Sequence, residues 1–322
     1  MADSLKNAHV LVTGGAGFIG SHLVERLLRE EAQVTVLDDL SSGKIENLDG
    51  CIDRIRFIEG DAGDEKILDR ILKDVDYVSH QAALRSVPKS VDMPFDYHRV
   101  NVTGTLRLFE KARHGKVKRI GYASSSSVYG DRKDFPERED DPPRPASPYA
   151  ATKLFGEYYG AIYSRLYGVE VVALRYFNVF GPRQSLENKY AVVVPKFIVS
   201  LLADEAPPIF GTGEQERDFT YIDNVVDANI LALTTSEIAG EVFNVAGGAP
   251  YSIQHLFFTL SKMMGKAIPA RYEAPRVGDV GKTCADLTKS KNRLGFHPQI
   301  DFYKGLEKTV AWFSAQSRES IA

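Results

Sequence analysis

The chain has 322 residues, room for about two domains of ordinary size, and 43% of them are hydrophobic, as in a globular protein with a sizeable core. Forty basic and 43 acidic residues leave a net charge of −3 with no basic block, so nucleic acid is not an expected partner. Cys51 and Cys284 have neither metal spacing nor a disulfide framework, and neither a signal-like leader nor a membrane-length apolar run occurs, so a soluble cytoplasmic protein with no metal site and no membrane partner is expected.

Residues 8–13 (AHVLVT) are short, apolar and β-branched, which predicts a buried strand. Gly14-Gly15-Ala16-Gly17-Phe18-Ile19-Gly20 follows at once, and then Ile19, Leu23 and Leu27 mark a helical stripe. Glycines alone would make a tight turn. Between a strand and a helix they let the backbone approach a pyrophosphate at a helix N-terminus. Residues 33–37 predict a second strand ending at Asp38, which lies 18 residues after Gly20. That is near the distance at which an acid meets a ribose diol, and a carboxylate there disfavours a 2′-phosphate. The α/β alternation continues through a strand at 55–58, a helix around Ile67 to Leu72 and a strand at 77–80. Asp61 suits either an adenine amino group or a turn. Gln81-Ala82-Ala83 are small enough to lie under a cofactor, and His80 reads as a structural hydrogen-bonder. A long helix is predicted over 95–113 and a fifth strand over 119–123, followed by Ser124-Ser125-Ser126-Ser127-Val128-Tyr129-Gly130. Those hydroxyls either satisfy backbone groups or face a ligand at the strand's carboxyl end.

Residues 131–146 form a Pro- and acid-rich segment, expected as a surface loop. In the next helix, over 149–167, Tyr149 and Lys153 are four apart and share one face. Pro148 suits the first helical position. An ammonium beside a phenol stabilises phenolate, which would make Tyr149 a base near neutral pH. Tyr-x-x-x-Lys is common by chance, and its weight comes from the glycine loop and acid upstream. A strand at 169–175 leads to Tyr176-Phe177-Asn178. Beyond it the alternation weakens: a polar loop at 181–191, a helix at 192–203, an extended piece at 207–211, a strand-like run at 219–222, helices at 225–233 and 253–264, and a last helix at 303–313.

Together these residues resemble the extended short-chain dehydrogenase/reductase superfamily over nearly the whole chain. The marks are Gly14, Gly17 and Gly20, then Asp38, Asn101, the serines before Val128-Tyr129-Gly130, Tyr149 with Lys153, and Arg175-Tyr176-Phe177-Asn178. Within it the chain is most similar to UDP-hexose 4-epimerases, especially those acting on N-acetylated sugars. The resemblance implies an α/β fold: a Rossmann-type doubly wound parallel sheet with a smaller mixed α/β C-terminal substrate domain. Residues 1–178 would bind NAD and 179–322 mainly the UDP-sugar, with a segment near 225–250 returning to the first domain. It implies NAD contacts from Gly14, Gly17, Phe18, Ile19 and Gly20, from Asp38, Asp61 and Ala62, from Gln81, Ala82 and Ala83, and from Asn101, Tyr149, Lys153 and Tyr176. Sugar-nucleotide contacts would come from Ser86, Ser125, Ser126, Tyr149, Asn178 and Val193, with Arg217 and Arg276 on the diphosphate, and from Asp279 and Thr283. The uracil is expected near Pro208 to Phe210.

In the chemistry that this resemblance implies, Tyr149 takes the proton of the sugar 4′-hydroxyl, Lys153 holds the nicotinamide ribose, and Ser125 relays the proton at O4, with Ser126 and Ser127 close behind. Related 4,6-dehydratases carry an Asp-Glu pair where this chain has Ser126-Ser127, and hydroxyls do not replace carboxyl acid–base groups. A small residue at Thr283 would admit a 2-N-acetyl group. The segment Ala83-Leu84-Arg85-Ser86-Val87-Pro88 also resembles the N-acetyl-accepting branch, but Arg85 departs from the small residue expected in it, and it either narrows the pocket or meets a C6 carboxylate, as a uronic-acid epimerase would need. A nucleotide-sugar reductase and a non-catalytic NAD-binding sensor are the alternatives. Relatives pair as homodimers through the helices at 95–113 and 149–167, whose Leu106, Phe109, Ile162 and Leu166 suit either that interface or the protein's own core.

Overall fold

The computed structural model describes residues 4–185, 193–275 and 280–319. Seven parallel strands form its main sheet. They include β1 (His9–Thr13), β2 (Gln33–Asp38), β3 (Arg56–Glu59), β4 (Tyr77–His80), β5 (Arg119–Ser125) and β6 (Glu170–Tyr176). The seventh, Val242–Val245, pairs with β6, so the order across the sheet is Val242–Val245, β6, β5, β4, β1, β2, β3. Side chains alternate between faces of a strand. In β1, Val10 and Val12 enter one buried cluster, shared with Leu23, Val24 and Leu27, while Leu11 enters the other with Val78, Ile120 and Tyr122. Helices α1 (Phe18–Arg29) and Ile222–Thr234 cover the first face. The second is covered by α2 (Glu65–Ile71) and by later helices of the same region. Burial on both faces explains why these strands read as continuous apolar runs.

Between β4 and β5 lie α3 (Val87–Asp92), α4 (Pro94–Tyr97) and α5 (Thr105–Arg113). The single helix expected over 95–113 is therefore corrected. Its middle, His98–Gly104, is a widened π-helical stretch, and such stretches cluster at functional sites. Helix α3 has too little apolar periodicity to be read in sequence. It is capped by Ser86, whose Oγ accepts from the Lys89 amide, and Pro88 sits in its first turn. Helix α6 (Pro148–Tyr167) begins as expected: Ser147 Oγ accepts from the Ala150 amide, and Gly168 ends it with φ of 72°.

After β6 the ladders are short. Val179–Phe180 pairs with Thr220–Tyr221, Glu216–Asp218 pairs antiparallel with Pro250–Ser252, and Pro208–Phe210 pairs with Arg271–Glu273. The strand-like run at 219–222 ends one residue early, because Ile222 already opens the helix Ile222–Thr234. The segment 131–146 is less superficial than expected. Glu137 is buried and exchanges backbone hydrogen bonds with Cys284 and Asp286, so the loop is stitched to the C-terminal region. Among the described residues no helix is long and apolar enough to cross a membrane, and no cluster of His, Cys, Asp or Glu is arranged for a metal.

Candidate active site

A cavity of about 390 Å³ follows the carboxyl ends of the first six strands, the place where open α/β sheets hold ligands. At one end lies the glycine loop. Gly14 has φ of +69°, and a Cβ there would stand 2.7 Å from the Ala82 amide nitrogen; one on Gly20 would stand 2.1 Å from the Gly14 carbonyl oxygen. The loop is therefore closed against its neighbours in a way only glycine permits. Gly17 caps α1 without any side-chain hydrogen bond, and the first turn carries no acid. Uncapped N–H groups at a positive dipole end fit a pyrophosphate.

The second strand delivers Asp38 to the same wall. Its Oδ2 accepts from the Ala16 amide and its Oδ1 from the Leu40 amide, each at 2.9 Å. The carboxylate thus braces the glycine loop while lining the cavity, and burial raises its pKa against those two bonds. Phe18, Ile19, Ala62, Gln81, Ala83 and Tyr176 line the cavity as expected, and so does Asp61, whose Oδ1 accepts from the Gly63 amide in a turn. The Tyr176 hydroxyl also bonds Gln81 and accepts from the Asn229 amide, fixing that wall. These groups fit NAD.

Tyr149 and Lys153 form the far end. Burial pushes the Tyr149 phenol up, and the groups that pull it down are the Ser125 hydroxyl, by hydrogen bond, and the Arg85 charge. The Lys153 ammonium lies 6.0 Å from the Tyr149 ring centre and donates to the Ala123 carbonyl at 2.8 Å. Desolvation lowers Lys153 to about 7. Ser125, expected at the sugar O4, accepts from Ser127 Oγ at 2.9 Å. Ser124 also lines the cavity, but its hydroxyl is engaged by buried Glu157. Ser126 opens the next turn.

Several expected contacts have other work. Asn101 is buried; it accepts from the Leu84 amide and donates to the Leu84 carbonyl and to Thr152, so it shapes the wall from behind. Ser86 spends its hydroxyl on the α3 cap. Asn178 donates both amide hydrogens, to the Asp218 carbonyl and to Thr283 Oγ1, which leaves no donor for a phosphate. Thr283 is buried and also accepts from the Asp218 amide, so it is a joint between segments instead of an open gate. Arg217 is buried in its short strand and donates to the Glu216 carbonyl. Val193 begins a helix. Arg276 and Asp279 lie outside the described residues. His80 is the structural group expected: it bonds Thr13 and Thr105, and burial lowers it to about 3. Sequence reasoning missed Met93, Asp96 and Arg99, which line the cavity from the end of α3, from α4 and from the π-helical stretch; nothing in their local pattern marks them.

A family model described as the NAD dependent epimerase/dehydratase family matches residues 10–246. A UDP-N-acetylglucosamine 4-epimerase from Methanobrevibacter ruminantium, solved with UDP-N-acetylmuramic acid, is 42% identical, with a TM-score of 0.92 over 97% of this chain and 99% of that one. A UDP-glucose 4-epimerase from Thermotoga maritima, solved with UDP-glucose, is 40% identical, with a TM-score of 0.92 over 98% and 100%. The UDP-glucose 4-epimerase of Mycolicibacterium smegmatis is 39% identical over 312 residues, 96% of this chain and 99% of its own.

Proposed function

This chain belongs to the NAD dependent epimerase/dehydratase family, and we propose that it is a UDP-hexose 4-epimerase that interconverts UDP-GlcNAc and UDP-GalNAc, with UDP-Glc and UDP-Gal as further substrates. The observation that carries this reading is a single cavity with Tyr149 and Lys153 at one end and a phosphate-binding glycine loop at the other. The similarity to epimerases that span the whole chain supports it.

NAD, which the glycine loop, Asp38 and Lys153 would hold against that wall, would supply reversible hydride chemistry at sugar C4. The chain's own groups handle the proton and the geometry. Tyr149, as phenolate, accepts the 4′-hydroxyl proton, and Ser125 helps relay the proton at O4. Lys153 keeps one N–H on the Ala123 carbonyl and has two left for a ribose. Ser126 and Ser127 supply no carboxyl group, which fits an epimerase over a dehydratase. Arg217 and Arg276 hold the diphosphate, and residues 179–322, apart from the helix Ile222–Thr234 and the strand Val242–Val245, act as the substrate lobe.

A second reading, a uronic-acid 4-epimerase, is favoured by one observation: Arg85 lines the cavity beside Tyr149 and offers a partner for a C6 carboxylate. We also place the protein in the cytoplasm as a homodimer. Phe109 is core, but Tyr158, Ile162 and Leu166 repeat every four residues on α6 and are 56%, 36% and 59% exposed, a face suited to a second copy. Light scattering that gives a monomer mass would remove the dimer. For the activity, the protein is incubated with NAD and, separately, UDP-GlcNAc, UDP-Glc and UDP-GlcA, and products are resolved by anion exchange. Conversion of the first two to their C4 epimers supports the proposal; conversion of UDP-GlcA alone replaces it with the second reading, and no conversion defeats both.

A further inference from the structure

A dinucleotide laid along this cavity meets the strand ends in the order of the sheet. The glycine loop follows β1, Asp38 ends β2, and Asp61-Ala62-Gly63 follows β3, the edge strand. With the pyrophosphate at the glycine loop and a ribose at Asp38, the adenine falls at the β3 end, away from Tyr149 and Lys153.

Two walls form that end. One is the loop of Asp61, Ala62 and Gly63; the other is α4 with the π-helical stretch, which supplies Asp96, Arg99 and Gly104. The walls meet at their base. A Cβ on Gly63 would stand 2.8 Å from the Gly104 Cα, and Arg107 of α5 donates to the Gly63 carbonyl at 3.3 Å. Arg99 spans the walls from one side to the other: its Nη1 lies 3.5 Å from Asp61 Oδ2, and its Nη2 lies 3.9 Å from Asp96 Oδ1.

Both partners stand on fixed backbone. Asp61 Oδ1 accepts from the Gly63 amide at 2.7 Å. On the other wall, the Tyr97 hydroxyl bonds the amide and the carbonyl of Ser86, and Asn101 bonds those of Leu84, so the helical run is anchored on either side of Arg99. The Arg99 and Asp61 side chains are 63% and 48% exposed, and an ion pair that open adds little to stability. Its consequence is where it holds the guanidinium. That group is flat, keeps its charge at every working pH and stacks on aromatic rings. Asp61 and Asp96 pair with it here, while the Asp38 carboxylate is bonded to the Ala16 and Leu40 amides.

We propose that Arg99 is a cofactor-binding residue: braced by Asp61 and Asp96, its guanidinium closes the adenine end of the NAD site and slows release of the cofactor. It takes no part in the proton or hydride steps. The inference rests on NAD lying in this cavity, whichever sugar is converted.

The test reads binding and needs no turnover. Protein loaded with NADH is mixed with excess NAD, and release is followed by the loss of bound-NADH fluorescence; ADP-ribose and NADP are then titrated as displacing ligands. Arg99→Ala releases NADH about five- to tenfold faster and binds ADP-ribose weaker by a similar factor. Arg107→Ala removes a bond between the same two walls at their base and changes release less than about twofold. Unchanged NADH release in Arg99→Ala overturns the proposal. So does an equal acceleration in Arg107→Ala, which would make the joining of the walls the cause. A loss in Arg99→Ala confined to NADP overturns it too, since Arg99 would then be a 2′-phosphate contact. A chain that converts no UDP-sugar defeats the proposed function, while the release rates still decide the role of Arg99.

Discussion

The cofactor side and the sugar side of this molecule are built differently. On the cofactor side the ligand-facing groups are mostly backbone, presented by the ends of parallel strands and the glycine loop that closes on Ala82. On the proposed sugar side, loop side chains join distant segments, as Asn178 does with Thr283 and with the Asp218 backbone. The first kind of site is written in local sequence and tolerates little. The second depends on segments far apart in the chain.

Tyr149→Phe strikes where the two sides meet. It keeps the ring against Tyr97 and removes the base, so kcat falls by about 10²–10⁴-fold with NAD binding intact. Steady-state rates paired with an NAD titration read this out, and unchanged kcat would remove Tyr149 from the chemistry. Gly14→Ala attacks the backbone side. Its positive φ and the 2.7 Å approach to Ala82 predict a stability loss of about 1–3 kcal/mol and weakened NAD binding, seen by denaturant titration and fluorescence. Arg217→Lys probes the sugar side. It keeps the charge but loses paired donation, so KM for UDP-sugars rises about tenfold while kcat holds. Equal losses with free NAD would show that the two sides are not separable.

The smallest effect is on pH dependence. Burial raises Glu137 to about 7 and Asp218 to about 6. Between the ordinary carboxyl range and these values the folded chain binds more protons than the unfolded one, so their stabilising contribution is full at low pH and is lost as pH rises to about 7. Glu137→Gln removes up to about one proton from that difference. Urea midpoints measured across that range should therefore fall less steeply in the variant.

The contrast also explains what the sequence disclosed. Gly14 to Gly20, Asp38, and Tyr149 with Lys153 are legible because strand, turn and helix periods place them without help from distant residues. The parallel sheet follows from alternation with buried, unpatterned strands. The sequence did not disclose that Asn101 clamps Leu84, that Thr283 is committed to Asn178, or that burial raises the Tyr149 phenol. Each depends on which distant segment packs beside it. Helix α3 was missed because six residues hold no full apolar period, and the long helix after it was read as regular because a π-helical stretch keeps nearly the same stripe.

The central claim is that the hydrogen on sugar C4 leaves and returns to the same carbon while Tyr149 and Ser125 handle only the proton. UDP-glucose carrying deuterium at C4 of its hexose tests this directly. The account predicts a UDP-galactose product that retains the deuterium at C4, no net reduced nicotinamide, and no conversion above background in Tyr149→Phe. Deuterium lost to water, or found at another carbon of the sugar, would contradict it.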